Sequence, residues 1–459
     1  MAAHQGPEPL FGTDGIRGPA GTFPLDRDTV TRLGRCVAES VVRGREGAGR
    51  RVVLGGDTRR STPELCSWLA AGLAAGGAEA HFVGVLPTPG VSYLTASLNA
   101  GAGIAVSASH NPYPDNGIKL LDAAGRKWSP EAEAAIEARL RSSPADTAAG
   151  AEPGDLVADP ADAERYLEAL HAQIAIVGES SPLQGLRVVL DCAHGAASLH
   201  APRLFKRLGA EVSVLFADPD GANINLDCGS THPERLADTV HSVAASLGFA
   251  FDGDADRAIA VDEHGETRDG DALLFLWARH LLRSGHLSPA RVVATSMSNL
   301  GLAQALAADG IELVRCDVGD RAVAQTMEAE GILLGGEQSG HIIHSGLAPT
   351  GDGLQTALHV AALVAASGGN LSDLLEGFRK YPQILLNVPV ASKPDLYSHP
   401  AIAAAAQSVD QRLGDRGRLV LRYSGTEPLA RVMIEGEDDG EIEDLARELA
   451  DVIEKELAR

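Results

Sequence analysis

Three things are scarce in this 459-residue chain, and each scarcity excludes a class of protein. Cysteine occurs only at Cys36, Cys66, Cys192, Cys228 and Cys316, far apart and never as CxxC. That excludes a disulfide framework and fits a reducing compartment, so the expected location is the cytoplasm. No run approaches the ~20 apolar residues that cross a bilayer. Residues Met1 to Pro9 lack a positive region followed by an apolar core, so no secretory signal is expected either. Positive charge is also short: 39 Lys+Arg stand against 62 Asp+Glu, a net charge of −23. Such a field repels nucleic acid and anionic membranes, so neither is an expected partner, although a local arginine cluster can still hold a phosphate at short range.

What is present is ordinary globular material, 44% hydrophobic and 22% charged, enough for several cores. At ~150 residues per domain the length predicts three or four. Three segments open alike: Arg51-Val52-Val53-Leu54, Arg187-Val188-Val189-Leu190 and Arg291-Val292-Val293-Ala294. Each reads as a buried strand followed by a helix and a second strand, beginning near Ala78, Ala210 and Ile311. Gly77, Gly209 and Gly310 stand where the helix ends need a left-handed residue. Strand, helix, strand at this spacing is a βαβ unit, which predicts three related α/β domains. Thr62-Pro63 reads as an N-cap with proline at the first helical position. The Ala-, Pro-, Gly- and Asp-rich stretch from Ser142 to Pro160 reads as a boundary. After about Gly368 the pattern becomes strand (Ile384 to Val390), helix (Ala401 to Leu413), two strands (Arg418 to Tyr423, Ala430 to Glu435) and an amphipathic helix (Glu441 to Leu457). That is a smaller α+β domain.

Four loops carry chemistry. Ser107-Ala108-Ser109-His110-Asn111-Pro112 follows the apolar strand Gly103 to Val106, where open α/β sheets place ligands. A polar loop satisfying its own backbone is the plain alternative. Phe251-Asp252-Gly253-Asp254-Ala255-Asp256-Arg257 sets three carboxylates at alternate positions between apolar runs, which calls for a positive charge among them. All-oxygen ligands favour a hard cation such as Mg²⁺. An EF-hand is excluded, because Arg257 stands where its glycine is required and a strand-like run follows. Gly335-Gly336-Glu337-Gln338-Ser339-Gly340-His341 offers glycines that let backbone approach a ligand, side chains for sugar hydroxyls, and a histidine that can move a proton. A structural Gly-rich turn fits it equally. Arg422-Tyr423-Ser424-Gly425-Thr426-Glu427-Pro428, with Arg431, can cradle a phosphate, or its arginines can pair with Glu427 and Glu435 across a hairpin. Together the loops describe phosphoryl transfer on a phosphosugar.

In order and in wording, these four loops resemble the signature regions of the α-D-phosphohexomutases, and the likeness runs from Phe11-Gly12-Thr13-Asp14-Gly15-Ile16-Arg17-Gly18 almost to the C-terminus. The opening segment, Asn223-Ile224-Asn225 through Cys228-Gly229-Ser230-Thr231-His232, Val318-Gly319-Asp320-Arg321, and Gly425 resemble its amino-sugar branch. The resemblance implies interconversion of glucosamine 6-phosphate and glucosamine 1-phosphate through a sugar 1,6-bisphosphate, toward UDP-N-acetylglucosamine. The phosphomannomutase/phosphoglucomutase branch is the alternative. Ser109 would be the phosphorylated serine, and Ser109, Asp252, Asp254 and Asp256 would hold Mg²⁺. Arg17, His110, Lys119 and Arg257 would surround the moving phosphoryl group, with His341 a candidate base. Glu337, Ser339 and Arg321 would bind the sugar, and Arg422, Ser424, Gly425, Thr426 and Arg431 the resting phosphate.

The implied domains are 1–160 with the phosphoserine loop, 161–262 with the metal loop, 263–370 with the sugar loop and 371–459 with the phosphate loop. A homodimer is also implied. Two departures from the family wording stand out: Ala255 replaces a glycine in the metal loop, and Gln338 and Ala322 replace an asparagine and a tyrosine. If the backbone at 255 needs a positive φ, alanine there costs ~1 kcal/mol or more.

Overall fold

A computed structural model describes residues 9–43, 47–142, 156–174, 181–424 and 428–458. The chain divides into two compact units, Met1–Thr295 with Cys316–Glu376, and Ser296–Arg315 with Gly377–Arg459. Among the described residues no helix is long and apolar enough to cross a membrane.

In the first unit the Val-rich strands pair as their wording predicts. Arg51–Gly56 runs parallel to both Glu79–Val85 and Ala102–Val106. Arg187–Asp191 runs parallel to Glu211–Leu215 and to Leu247–Phe251. Val292, Val293 and Ala294 pair in parallel with Leu334, Gly335 and Gly336. Gly77, Gly209 and Gly310 take φ of +84°, +98° and +78°, the left-handed turn expected of them.

Every sheet then adds an antiparallel strand to a parallel one, so all three are mixed. Ala102–Val106 returns as Asp115–Leu121, Leu247–Phe251 as Ala258–Asp262, and Leu334–Gly336 as Ile342–His344. The three chemistry-bearing loops are these hairpin connections. The repeat in the sequence therefore positions the loops as well as the strands. Helices Arg27–Val42 and Thr62–Ala75 bury Leu33, Val37, Leu69 and Leu73 against Val52, Leu54, Ile104 and Val106, which makes the end of Ala102–Val106 a rigid platform. Val189, Leu236, Val240, Ala250 and Val261 form a smaller core beside the second sheet.

In the second unit, Gln383–Pro389, Leu429–Gly436 and Gly417–Tyr423 form a three-stranded antiparallel sheet in that spatial order. Pro400–Leu413 and Asp439–Leu457 cover it through Ile402, Val409, Leu445, Leu449 and Ile453. This is the α+β layout read from the sequence. Asp438 caps the last helix by accepting the Glu441 N–H at 2.8 Å.

Two local expectations shift. Helix Thr62–Ala75 already includes Thr62; Ser61 is the cap residue, and its side chain makes no capping bond. The Thr62 hydroxyl turns instead to the buried Asp57 carboxylate at 3.1 Å. Of the Ser142 to Pro160 boundary, residues 143–155 lie outside the described residues, between helices Pro130–Ser142 and Pro160–Ile174.

Candidate active site

Ser109 sits at the carboxyl end of Ala102–Val106 with φ +52°, a left-handed backbone that few residues other than glycine adopt. Its hydroxyl donates to Asp252 Oδ2 at 2.5 Å and lies 3.4 Å from His110 Nδ1. Asp252, Asp254 and Asp256 offer oxygens that all lie within 4.8 Å of one another, in a buried group. The structure brings the serine and the acidic triad together, though 143 residues separate Ser109 from Asp252. Ala255, between two of the carboxylates, is fully buried at φ +54°. The glycine normally found in this wording suits that backbone.

Three buried carboxylates would not share this space without compensation. Lys119 provides part of it: Nζ is 2.8 Å from Asp254, 3.3 Å from Asp256 and 3.1 Å from Asp14. Burial opposes a charged lysine, but Asp14, Asp254 and Asp256 hold its pKa well above the usual range. Asp252 is pushed well up, by burial and then by Asp256 and Asp254. For Asp256 burial also raises the pKa, yet Lys119, His341 and Arg257 together hold it well below an ordinary aspartate. Asp254 Oδ1 and Asp256 Oδ1 are buried without a hydrogen-bond partner. Orphaned anionic oxygens beside a serine hydroxyl, with no nitrogen or sulfur donor among them, fit a hard divalent cation.

Arg257 reaches over the triad, Nε 4.0 Å from Asp252 and 3.7 Å from Asp256. Arg17 donates to the Ala108 carbonyl at 2.7 Å and pairs with Asp14. His110 is pushed down to about 4, by burial first and then by Arg257 and Arg17, so its ring is neutral at pH 7. His341, buried, faces Asp256 through Nδ1 at 3.6 Å, while Nε2 accepts the Gly351 N–H at 3.0 Å and lies 3.8 Å from Asp320. The surrounding acids raise its pKa against burial, and the Gly351 bond favours the tautomer protonated at Nδ1.

Glu337 accepts the Gly319 N–H at 3.3 Å, and burial raises its pKa. The Ser339 hydroxyl is buried without a partner. Arg321 is held by Glu133 at 2.7 Å. The glycines of this loop have other work than ligand approach. Gly335 and Gly336 belong to the strand Leu334–Gly336, and a Cβ on Gly335 would meet Met327 Sδ at 2.7 Å. Gly340, φ +91°, lets the loop lie against the Ala258 carbonyl, which a Cβ would approach to 2.3 Å.

In the second unit Arg422 and Arg431 stand opposite each other on the hairpin. Arg431 reaches Ser424 Oγ at 3.4 Å, and Lys393 donates to the Ser424 carbonyl at 2.6 Å. Burial and then Arg431 lower the Arg422 pKa. Glu435 takes Arg418, at 3.0 Å, rather than these two. Gly425, Thr426 and Glu427 lie outside the described residues.

Several residues of the site were not singled out in the sequence. Asp14 joins Lys119, Lys127 and Arg17, and Asp320 joins Lys127. Thr88 donates to Asp254 at 2.5 Å. Asp14 lies inside the Phe11 to Gly18 opening and Asp320 beside Arg321, so both were within quoted motifs; Lys127 and Thr88 carry no local signal.

Comparison with known proteins agrees with this geometry. Four family profiles, described as phosphoglucomutase/phosphomannomutase alpha/beta/alpha domains I, II and III and C-terminal domain, match residues 8–146, 164–265, 269–381 and 385–452. A phosphoglucosamine mutase of Symbiobacterium thermophilum is 46% identical over 98% of this chain and 99% of its own. One from Synechococcus elongatus is 47% identical over 98% and 95%. The crystal structure of a phosphoglucomutase/phosphomannomutase family protein from Burkholderia thailandensis superposes with a TM-score of 0.79 at 26% identity, covering 97% of each chain. A serine hydroxyl beside a buried acidic triad, within three related α/β domains and an α+β domain, fits an α-D-phosphohexomutase, and the four domain profiles and the relatives matching nearly its whole length show that this chain belongs to that family.

Proposed function

We propose that the protein is a phosphoglucosamine mutase, interconverting glucosamine 6-phosphate and glucosamine 1-phosphate toward UDP-N-acetylglucosamine. The observation that carries the chemistry is the Ser109 hydroxyl, 2.5 Å from Asp252 within the buried triad. The choice of sugar rests on relatives of that name at 46% and 47% identity over nearly the whole chain.

Phosphoryl transfer is catalysed by alignment and charge stabilisation more than by covalent chemistry. Ser109, once phosphorylated, adds ~1.5–2 negative charges at pH 7 beside the triad. Mg²⁺ held by Asp252, Asp254, Asp256 and a phosphoserine oxygen would supply the neutralising charge and polarise the bridging oxygen. Arg257, Arg17 and Lys119 would steady the equatorial oxygens as the Ser109 O–P bond breaks and a sugar hydroxyl forms the new P–O bond. The proton of that hydroxyl would pass to His341 Nε2, exchanging the Gly351 bond for a charge pair with Asp320, and an equivalent proton would reach the departing Ser109 oxygen through water, restoring its hydroxyl. The resulting 1,6-bisphosphate would turn end for end, and Ser109 would recover a phosphoryl group from the other position. Glu337, Ser339 and Arg321 would orient the sugar, while Arg422, Ser424, Gly425, Thr426 and Arg431 would hold the resting phosphate. The four domains would meet near residues 160, 262 and 370, and the chain would work as a homodimer in the cytoplasm.

The test is turnover of glucosamine, glucose and mannose monophosphates with Mg²⁺, before and after chelation. Preference for glucosamine phosphate, lost on chelation, is expected. Preference for mannose 1-phosphate or glucose 1-phosphate would replace this reading with a phosphomannomutase/phosphoglucomutase.

A further inference from the structure

Ser109 keeps a strained backbone, and the structure shows what holds it there. Arg59 follows the first Val-rich strand and is fully buried, as is its partner Asp57, 2.9 Å from Nε. Its remaining donors all go to carbonyls of the serine loop. Nη2 donates to Ser109 at 3.0 Å and Asn111 at 2.7 Å, and Nη1 to Pro112 at 2.6 Å and Asp115 at 2.9 Å. Asp57 also accepts the Ser107 hydroxyl at 2.6 Å, and Ser107 Oγ accepts the Ser109 N–H at 2.9 Å. A rigid planar fork with five donors suits this task in a way lysine does not.

The Ser109 and Asn111 carbonyls receive a second donor from the loop that follows strand Glu211–Leu215 of the second sheet. Asn225 Nδ2 donates to Ser109 O at 2.8 Å and Asn111 O at 3.0 Å. Asn225 is itself left-handed, φ +58°, and its N–H is fixed to the Ala193 carbonyl at 2.9 Å. Gly253 of the acidic loop completes the enclosure: a Cβ there would stand 2.5 Å from Ser109 O and 2.9 Å from Asn225 Nδ2. Each of the two carbonyls has both lone pairs engaged. A loop that only needed to be folded would not require two independent donors on each of the same two oxygens.

We propose that Arg59 and Asn225 are positioning residues for phosphoryl transfer, jointly clamping the Ser109 and Asn111 carbonyls so that the serine hydroxyl stays aimed at the acidic triad. The inference rests on Ser109 as the phosphoryl carrier. It gives a function to the Asn223 to Asn225 segment, and it makes the serine's aim depend on the second sheet as well as the first.

The test uses the full chain with glucose 1,6-bisphosphate as phosphoryl donor and glucosamine 6-phosphate as acceptor. Asn225→Gly removes the side-chain donors while keeping a residue at ease with positive φ, and Asn225→Asp sets a carboxylate against two carbonyls. Arg59→Lys keeps the charge and loses the fork. Misplacing a reacting group by about 1 Å costs up to ~100-fold, so kcat should fall by ~10–100-fold in each variant with KM within ~3-fold. Phosphorylation of Ser109 by the bisphosphate should slow in parallel, at a nearly unchanged melting temperature for Asn225→Gly. Should Arg59→Lys fail to fold, the Asn225 pair decides. Wild-type kcat in both Asn225 variants, or a raised KM with kcat intact, overturns the clamp. Failure of the wild-type chain to take phosphate on Ser109 overturns the phosphoserine reading instead.

Discussion

Replacing Lys119 by methionine keeps most of the side-chain volume and removes one charge from the centre of the site. The lysine is 1% exposed and lies within 3.3 Å of both Asp254 and Asp256 and 3.1 Å from Asp14. Breaking a buried ion pair from one side costs about 3–5 kcal/mol, because the remaining charge stays buried and unpaired. Here carboxylates remain, so the upper part of that range applies. At ~2.1 cal/mol/K of unfolding entropy per residue, the unit of Met1–Thr295 with Cys316–Glu376 unfolds with ~0.7 kcal/mol/K, so a loss of ~4–5 kcal/mol lowers its melting temperature by about 5–7 °C. The pH dependence has a definite sign. Lys119, with its pKa held above the ordinary value, contributes fully below ~10.4 and loses that contribution only as pH rises through its higher folded value. Asp256, with its pKa held below the ordinary value, contributes above ~4 and loses that contribution as pH falls through its lower folded value. The deficit of Lys119→Met is therefore full from ~pH 5 to 9 and narrows below ~4. Calorimetric scans in a chelator at pH 7 measure it directly. Adding Mg²⁺ should restore part of the loss, since the ion takes over the neutralising charge. A fall under ~2 °C at pH 7, with no response to Mg²⁺, would show that the carboxylates are not held charged around the lysine.

Two further outcomes follow from single side chains. Ala255→Gly relieves a left-handed backbone costing ~1–2 kcal/mol but forfeits a buried methyl worth ~0.8 kcal/mol. The melting temperature should therefore move by no more than ~2 °C, upward if at all; a large fall would mean that packing rather than backbone strain governs this loop. Arg431→Met removes a guanidinium from the hairpin opposite Arg422, so KM for the sugar phosphate should rise ~10-fold or more while Ser109 phosphorylation by glucose 1,6-bisphosphate remains detectable. An unchanged KM would move the resting phosphate elsewhere.

Much of this molecule could be read before its structure was available, because the information is local. Val-rich strands, glycine-ended helices and runs such as Asp252-Gly253-Asp254-Ala255-Asp256 carry their meaning within a few residues. The cation network could not be read that way. Lys127 meets Asp14 across 113 residues and Asp320 across 193, and no spacing rule connects them. Thr88, at the start of helix Thr88–Ser97, is similarly ordinary in sequence and meets Asp254 only in the fold, and Asn225, though within a quoted motif, carries no local sign of its bond to Ser109, 116 residues away. The third loop shows the converse ambiguity, between ligand approach and a structural turn. Gly335 and Gly340 resemble ligand-approach glycines, yet their missing side chains make room for Met327 and the Ala258 carbonyl. Glycine reports a close approach without saying what approaches.

The central claim is that Ser109 carries the phosphoryl group. Peptide mass mapping after incubation with glucose 1,6-bisphosphate, followed by a chase with glucosamine 6-phosphate, tests it most directly. One phosphoryl group should appear on Ser109, disappear in the chase, and be absent from Ser109→Ala, which should keep the wild-type melting behaviour and lose turnover. Phosphate on any other residue, or mutase turnover surviving in Ser109→Ala, would contradict the account.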